Sequence, residues 1–374
     1  MAKSKMFRQL LKNIMDGYIA FECRFVKVIK HDDKRVLIFR KDVLGDFILF
    51  LPTIKLYRDY YRDSRISLVV NTLVTDLIPN FSYIDDLIIF DQKKFRTNFW
   101  YRRNFMHNLK RQGFDIAIYP VYSREPIGDL LINITEAKEK ISFKNEPSKR
   151  DSTYTRLIES DPLLNEIERN MAFAREVTNL KTRLAFPTID VKLLPQENTP
   201  LIEGRYCIMF PGAGASYRIW QLEKFAEIAD HIVSKGYNIV ICGTKNENPL
   251  AEKIINEAKA KKQIINLCGK TNVSSLAHIL NKSVFYFGSE TGVLHLATAV
   301  GTPTICILGS GHFGRFFPYG DLEKNRIVFD ENAKCRNDDW KCSAKLKPGE
   351  IALCIKNITV ESAKKEIDYL LEKI

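Results

Sequence analysis

One pattern runs through this chain twice, and it limits the possible folds more than any other feature. Short, almost wholly apolar segments alternate with longer amphipathic ones. In the first half RVLIF (35–39), ISLVV, DLIIF and DIAIY are each followed by a more polar helical stretch, beginning with FILFLPTIKLYRDYY. In the second half YCIMF (206–210), NIVIC (238–242), IINLC (264–268), SVFYF (283–287) and TICIL (304–308) alternate with LEKFAEIADHIVSKG, PLAEKIINEAKAKK, SSLAHILNK and GVLHLATAVG. A strand that is apolar on both faces needs cover on both faces, so each half predicts a doubly wound α/β unit with a parallel sheet. Two such units face a shared cleft, and sheets of this kind bind ligands at their strand C-termini.

The connection falls at AFPTIDVKLLPQENTPLIEG (185–204), which has three prolines and weak periodicity. The expected layout is a basic extension at 1–30, an N-terminal domain at 31–190, a linker at 191–204, a C-terminal domain at 205–350 and an amphipathic helix at 351–374. In the extension, Met6, Leu10, Leu11, Ile14 and Met15 recur at helical spacing among Lys3, Lys5, Arg8 and Lys12. It reads either as a helix on an anionic membrane surface or as one packed on the protein's own flank. The longest apolar run, FILFLPTI (47–54), is too short to span a bilayer and contains Pro52. No secretory leader is legible at the start.

Lys and Arg exceed Asp and Glu by 57 to 45, a formal charge of +12. That excess suits an anionic partner, although it also serves plain solubility. The cationic residues are scattered and no nucleic-acid motif is present, so nucleic acid is not the expected partner. Most of the eight Cys lie in strand-like runs and read as small buried hydrophobes in a reducing compartment. Cys335, Cys342 and Cys354 are spaced unlike a zinc ribbon; unpaired thiols are expected, with a metal or a disulfide the lesser alternative.

Three segments carry candidate chemistry. In RKDVLGDFILFLP (40–52), Gly45 allows a tight turn and close approach of a ligand, and Asp46 stands where a helix begins. Asp46 reads as a general base on the cleft floor or, more plainly, as a helix cap. In FPGAGASYRIW (210–220), Gly212, Ala213, Gly214, Ala215 and Ser216 form a small-residue loop able to cradle phosphate, with Arg218 adding fixed positive charge. An ordinary turn is the alternative. In FGSETGVLHLATAVGTP (287–303), Thr291 and Gly292 would offer N–H groups at a helix start, Glu290 would accept from a ribose or base, and His295 follows on the helix.

Taken together, LIFRKDVLGDFILFLP, GAGASYRIW and GSETGVLHLATAVGTP resemble the signature segments of glycosyltransferase family 9, the ADP-heptose lipopolysaccharide heptosyltransferases. The resemblance extends over roughly residues 35–320. It implies a GT-B fold, two Rossmann-like domains with the active site between them, and an inverting transfer without metal or other cofactor. It implies a nucleotide-sugar donor, ADP-heptose, held by the second and third segments, with Asp46 as base. It further implies an anionic lipid-linked glycan acceptor on the N-terminal half, near Gly45 and Arg124, and a cytoplasmic enzyme touching the inner membrane's inner face. Lys93, Lys94, Arg96, Arg102, Arg103, Lys110 and Arg111 are further candidates for meeting that acceptor, with an ordinary solvated basic helix face as the equal alternative. Two positions depart from the family pattern: Arg218 replaces its usual Lys and Glu290 its usual Asp. A related enzyme with another donor, or an epimerase of similar architecture, is the alternative reading.

Overall fold

The computed structural model describes residues 15–80, 82–144, 148–197 and 199–374. The first sheet consists of β1 (Arg35–Arg40), β2 (Arg65–Asn71), β3 (Asp86–Phe90), β4 (Ile116–Tyr119), β5 (Glu139–Phe143) and β6 (Arg156–Ile158), in the order β3-β2-β1-β4-β5-β6. The second consists of β7 (Tyr206–Phe210), β8 (Asn238–Ile241), β9 (Ile264–Asn266), β10 (Tyr286–Ser289), β11 (Thr304–Ile307) and β12 (Asn325–Val328), ordered β12-β11-β10-β7-β8-β9. Every pairing is parallel. Both sheets therefore run outward from a central strand, β1 or β7, with a switch in direction beside it. Ligand crevices form at such switches.

The central strands are buried on both faces because their side chains are apolar on both. Leu37 and Phe39 join Tyr119, Met106 and Leu131 on one side of the first sheet. Val36 and Ile38 join Phe47, Phe50 and Tyr57 on the other. That second cluster continues into the C-terminal sheet through Ile208 and Tyr286, so one apolar mass links the two lobes. The predicted long helix after β1 is broken. Leu44–Phe50 and Ile54–Tyr60 are α-helical, and the turn Leu51–Thr53 between them tightens around Pro52.

The connection at 185–204 contains only one short turn, Val191–Leu193, and hugs the second lobe. Ile189 N–H donates to Ala299 O at 2.8 Å, and His278 Nε2 lies 3.3 Å from Leu194 O. The C-terminal helix Val360–Lys373 buries Ala363, Ile367 and Leu370 in the same cluster as Ile228 and Ile232, and Asp368 meets His231 at 2.9 Å. At the other end residues 15–23 are helical and pack on the N-terminal lobe through Ile19 and Cys23. Met6, Leu10, Leu11 and Ile14 lie outside the described residues. Among those described, no helix is long and apolar enough to cross a membrane.

Gly288 is the last residue but one of β10, and a Cβ there would lie 2.4 Å from Phe210 O and 2.8 Å from the Tyr286 hydroxyl. Phe210 O is backbone and the buried Tyr286 hydroxyl is held by Ser289 O at 2.9 Å, so Gly288→Ala is expected to destabilise the C-terminal lobe by about 1–3 kcal/mol. A lower midpoint of urea unfolding is the measurement; an unchanged midpoint would show that β10 and β7 can part at no cost.

Candidate active site

Asp46 is placed by what precedes it. β1 ends at Arg40, residues 41–43 turn, and Val43 caps the helix Leu44–Phe50 without a side-chain hydrogen bond. Asp46 lies in the first turn rather than at the cap, so capping does not account for it. Arg40 pins this turn from beneath. Its guanidinium is almost wholly buried, lies over the Phe50 ring, donates from Nη2 to Asp46 O at 2.9 Å and reaches Pro120 O from Nη1. Its Nε meets Asp42 Oδ2 at 2.6 Å, an ion contact off the hydrogen-bond axis.

The Asp46 carboxyl is enclosed by protein yet open to a cavity. Burial pushes its pKa up to about 7; Asp42, Glu166 and Glu290 add to the rise and Arg40 opposes it. Asp42 is raised as well, chiefly by burial against the pull of Arg40 and Lys41. A carboxyl titrating near neutrality is ionised often enough to take a proton and basic enough to hold it.

On the second lobe, β7 runs into the loop 211–215 and the short turn Ser216–Arg218. Arg218 Nη2 donates to Glu290 Oε2 at 2.8 Å and to Glu290 O at 3.2 Å, which fixes the guanidinium at the mouth of the helix Gly292–Ala299. Burial pushes the Glu290 carboxyl up, but His295, Arg218 and His312 together outweigh it and hold it below its ordinary value. His295 is buried, with Nδ1 3.2 Å from the Tyr319 hydroxyl and Nε2 3.9 Å from Glu290 Oε1. Thr291 caps its helix without using its side chain, so the first N–H groups face the cavity without a side-chain cap.

Behind Arg218 stands Trp340, whose ring lies 5.1 Å from the guanidinium and 5.6 Å from Tyr217. Its indole occupies space left by two glycines: a Cβ on Gly309 or Gly311 would fall 2.2 or 2.4 Å from its ring. Asn337, Asp339 and Trp340 have φ of 56°, 56° and 59°, a left-handed backbone that is strained for a bulky residue. Asn337 and Asp339 N–H groups bond Ser310 O and Gly311 O, and Asp339 Oδ1 holds His312 Nε2 at 2.7 Å.

The two lobes meet at two glycines. A Cβ on Gly45 would lie 3.3 Å from Gly292 Cα, and one on Gly292 would lie 3.0 Å from Gly45 N. This approach brings Asp46 to a cavity of about 280 Å³ lined by Gly45, Gly214, Arg218, Glu290, Thr291, Gly292, His295, His312 and Phe316. A second cavity of about 230 Å³ lies on the N-terminal side, lined by Lys41, Asp42, Tyr119, Tyr122, Glu125, Glu166 and Arg315 among others. Asp46 and Phe316 line both. The backbone also crosses here, since Glu166 N–H donates to Arg315 O at 2.8 Å.

Eight of the residues named from sequence thus share one cavity. Gly212, Ala213, Ala215 and Ser216 belong to the same loop but are not among its lining; Gly212 instead lets Glu247 approach, a Cβ there falling 2.9 Å from Glu247 Cγ. Arg124 must be corrected. Its buried guanidinium pairs with Asp151, lies 3.9 Å from Asp129 and covers the Tyr154 ring, so its charge is spent inside the lobe. Arg102 and Lys110 are likewise buried and paired, with Asp16 and Glu136. Arg40, His312, Arg315, Phe316 and Trp340 were not singled out from sequence. They come from a strand end and from loops without periodicity, and only the glycines at 309 and 311 hinted at a crowded backbone.

Comparison with known proteins gives the family and the fold. The model of "Glycosyltransferase family 9 (heptosyltransferase)" matches residues 102–345. The lipopolysaccharide core heptosyltransferase OpsX of Haemophilus influenzae is 25% identical over 80% of this chain and 86% of its own. Among solved structures, a family 9 glycosyltransferase from Veillonella parvula superposes with a TM-score of 0.73 at 18% identity, covering 93% of this chain and 99% of its own. The Escherichia coli heptosyltransferase WaaC with ADP-2-deoxy-2-fluoro heptose gives 0.68 at 16% identity, covering 89% and 99%. The matched family span begins after Asp46, so the assignment of that residue rests on its position at the junction of the cavities.

A carboxyl whose folded pKa lies above its unfolded value destabilises the fold as pH rises between the two. Asp46→Asn is therefore expected to be more stable than the parent protein. The advantage should be absent near pH 4, grow toward pH 7 and stay level above it. Urea midpoints measured across that range test this; a gap independent of pH would mean that Asp46 ionises normally.

Proposed function

Since the chain belongs to glycosyltransferase family 9, we propose that this glycosyltransferase moves a heptose from ADP-heptose to a lipopolysaccharide-core glycan in a single inverting displacement. The observation that carries the mechanism is the position of Asp46 on the wall common to both cavities. The larger cavity takes the donor. Its diphosphate lies against the Gly214 loop, Arg218 and the N–H groups of the Thr291–Gly292 helix start, with Glu290 near the nucleoside and His295 beneath. The fluorinated ADP-heptose held by the E. coli relative supports that donor class. The smaller cavity takes the acceptor.

Asp46 accepts the proton of the acceptor hydroxyl. The oxygen attacks the anomeric carbon from the side opposite the diphosphate, and the bond to the phosphate oxygen breaks with its electron pair leaving on the nucleotide. Negative charge grows on that leaving oxygen, where Arg218 and the helix N–H groups stabilise it without a metal ion. A weak base suffices because both reactants are held by one rigid junction.

The cations lining the acceptor cavity already have carboxylate partners: Arg40 with Asp42, Lys41 with Glu125 at 2.7 Å, and Arg315 with Glu166 at 3.8 Å. Such paired charges suit hydroxyl groups, which donate and accept at once. A nucleotide-activated donor, together with eight free thiols, suits the cytosol, where we place the enzyme.

Asp46→Asn is expected to lower kcat by about 10²–10⁴-fold while ADP binding changes little. Retained turnover would exclude Asp46 as the base. Because only the ionised form accepts a proton, kcat/KM should rise about tenfold per unit of pH below 7 and level off above it. Asp42→Asn removes one neighbouring negative charge and should move that rise to lower pH. Arg218→Ala should weaken ADP binding by about 10–100-fold, the range for a hydrogen bond from a charged donor. In thermal shift, ADP-heptose should raise the unfolding temperature more than UDP- or GDP-sugars, since a ligand of the native state stabilises it in proportion to occupancy.

A further inference from the structure

Residues 15–30 present two unlike faces. Their only carboxylates, Asp16 and Glu22, both turn toward the helix Phe99–Arg111. Asp16 Oδ1 lies 3.0 Å from Arg102 Nη1, and Glu22 Oε2 lies 2.7 Å from Arg103 Nε and 3.6 Å from His107 Nε2. Ile19 and Cys23 are buried on the same side. The outer side carries Tyr18, Phe21 and Phe25, which are 55%, 53% and 76% exposed. Phe21 and Phe25 meet edge to face at 5.3 Å, and the Arg24 guanidinium hangs 6.0 Å over the Phe21 ring.

The chain then runs on along the end of the neighbouring helix. Ile29 N–H donates to Arg111 O at 2.9 Å, and a Cβ on Gly113 would fall 2.6 Å from Val28 Cγ1, so Gly113 is what lets this segment lie close. Phe25, Val28 and Ile29, with Lys27, Lys30 and Arg111, line an open apolar concavity. Among the described residues no carboxylate lies within ion-pair distance of Arg24, Lys27, Lys30 or Arg111. The next acids along the chain are Asp32 and Asp33, and Asp33 acts on Arg65. Over residues 1–30 the sequence has seven Lys or Arg against two acids, so a large part of the chain's positive excess sits at this end.

Aromatic and aliphatic side chains ringed by unpaired cations, with the acids turned inward, match one kind of partner. Rings enter the headgroup layer of a bilayer while the cations meet anionic lipid. We propose that the outer face of residues 15–30 is a docking surface for an anionic lipid bilayer. The inference stands apart from the catalytic reading, because vesicle binding needs neither donor nor acceptor. It gives the acceptor lobe, rather than the donor lobe, the contact with the membrane.

Co-sedimentation of the full chain with vesicles tests it. Binding to phosphatidylcholine vesicles containing about one-third phosphatidylglycerol is expected, with little binding to phosphatidylcholine alone and weaker binding as salt rises. Arg24→Glu/Lys27→Glu/Lys30→Glu should reduce binding at least tenfold, because each lost cation removes its own attraction to the surface. Phe21→Ser/Phe25→Ser should reduce it also at high salt, where the charges are screened. The urea unfolding midpoint should be unchanged in both variants, which shows that they fold. The proposal is overturned if the parent chain ignores anionic vesicles, if it binds them and both variants bind equally well, or if the aromatic pair proves necessary only for self-association in solution.

Discussion

The architecture of the cleft depends on how closely two backbones approach. Gly45 and Gly292 stand where the helices Leu44–Phe50 and Gly292–Ala299 begin, one from each lobe, and a methyl group on either would crowd the other. Without a side chain at both positions, two helix starts can face one gap. The first supplies a carboxylate and the second supplies N–H groups, so the two become neighbours although 245 residues separate Asp46 from Thr291. The apolar mass shared by the lobes keeps them in that relation.

That relation carries an electrostatic penalty which the fold tolerates. Asp46 is buried at this junction and, with Asp42, Glu166 and Glu290 adding negative charge nearby, it holds its proton to a higher pH. Arg40 and Arg218 do not neutralise the region evenly. Arg40 grips Asp42 and the backbone of Asp46, leaving the Asp46 carboxyl to its surroundings. Arg218 grips Glu290 and so stands ready for an anion at the far side of the same gap. The asymmetry separates the two roles: one carboxyl is left basic and the other is kept ionised.

The fold was legible because strands buried on both faces leave an unmistakable apolar run. β5, β6 and β12 escaped notice because EKISF, RLI and NRIV carry charge at their ends or are very short. The phosphate-side residues were legible because small residues after a strand have few other uses. Arg124 was misplaced since a sequence shows that a cation exists, not that Asp151 and Asp129 already hold it. Trp340 was invisible for the opposite reason. Its importance comes from glycines and an arginine elsewhere in the chain, and nothing in CRNDDWKC announces that its tryptophan lies under Arg218.

The hydrogen bond from Glu166 N–H to Arg315 O ties one lobe's helix start to the other lobe's loop, beside the acceptor cavity. A loop fastened in this way holds Arg315 and Phe316 in register with Asp46, so the wall between the two cavities is built from both halves of the chain and from neither alone.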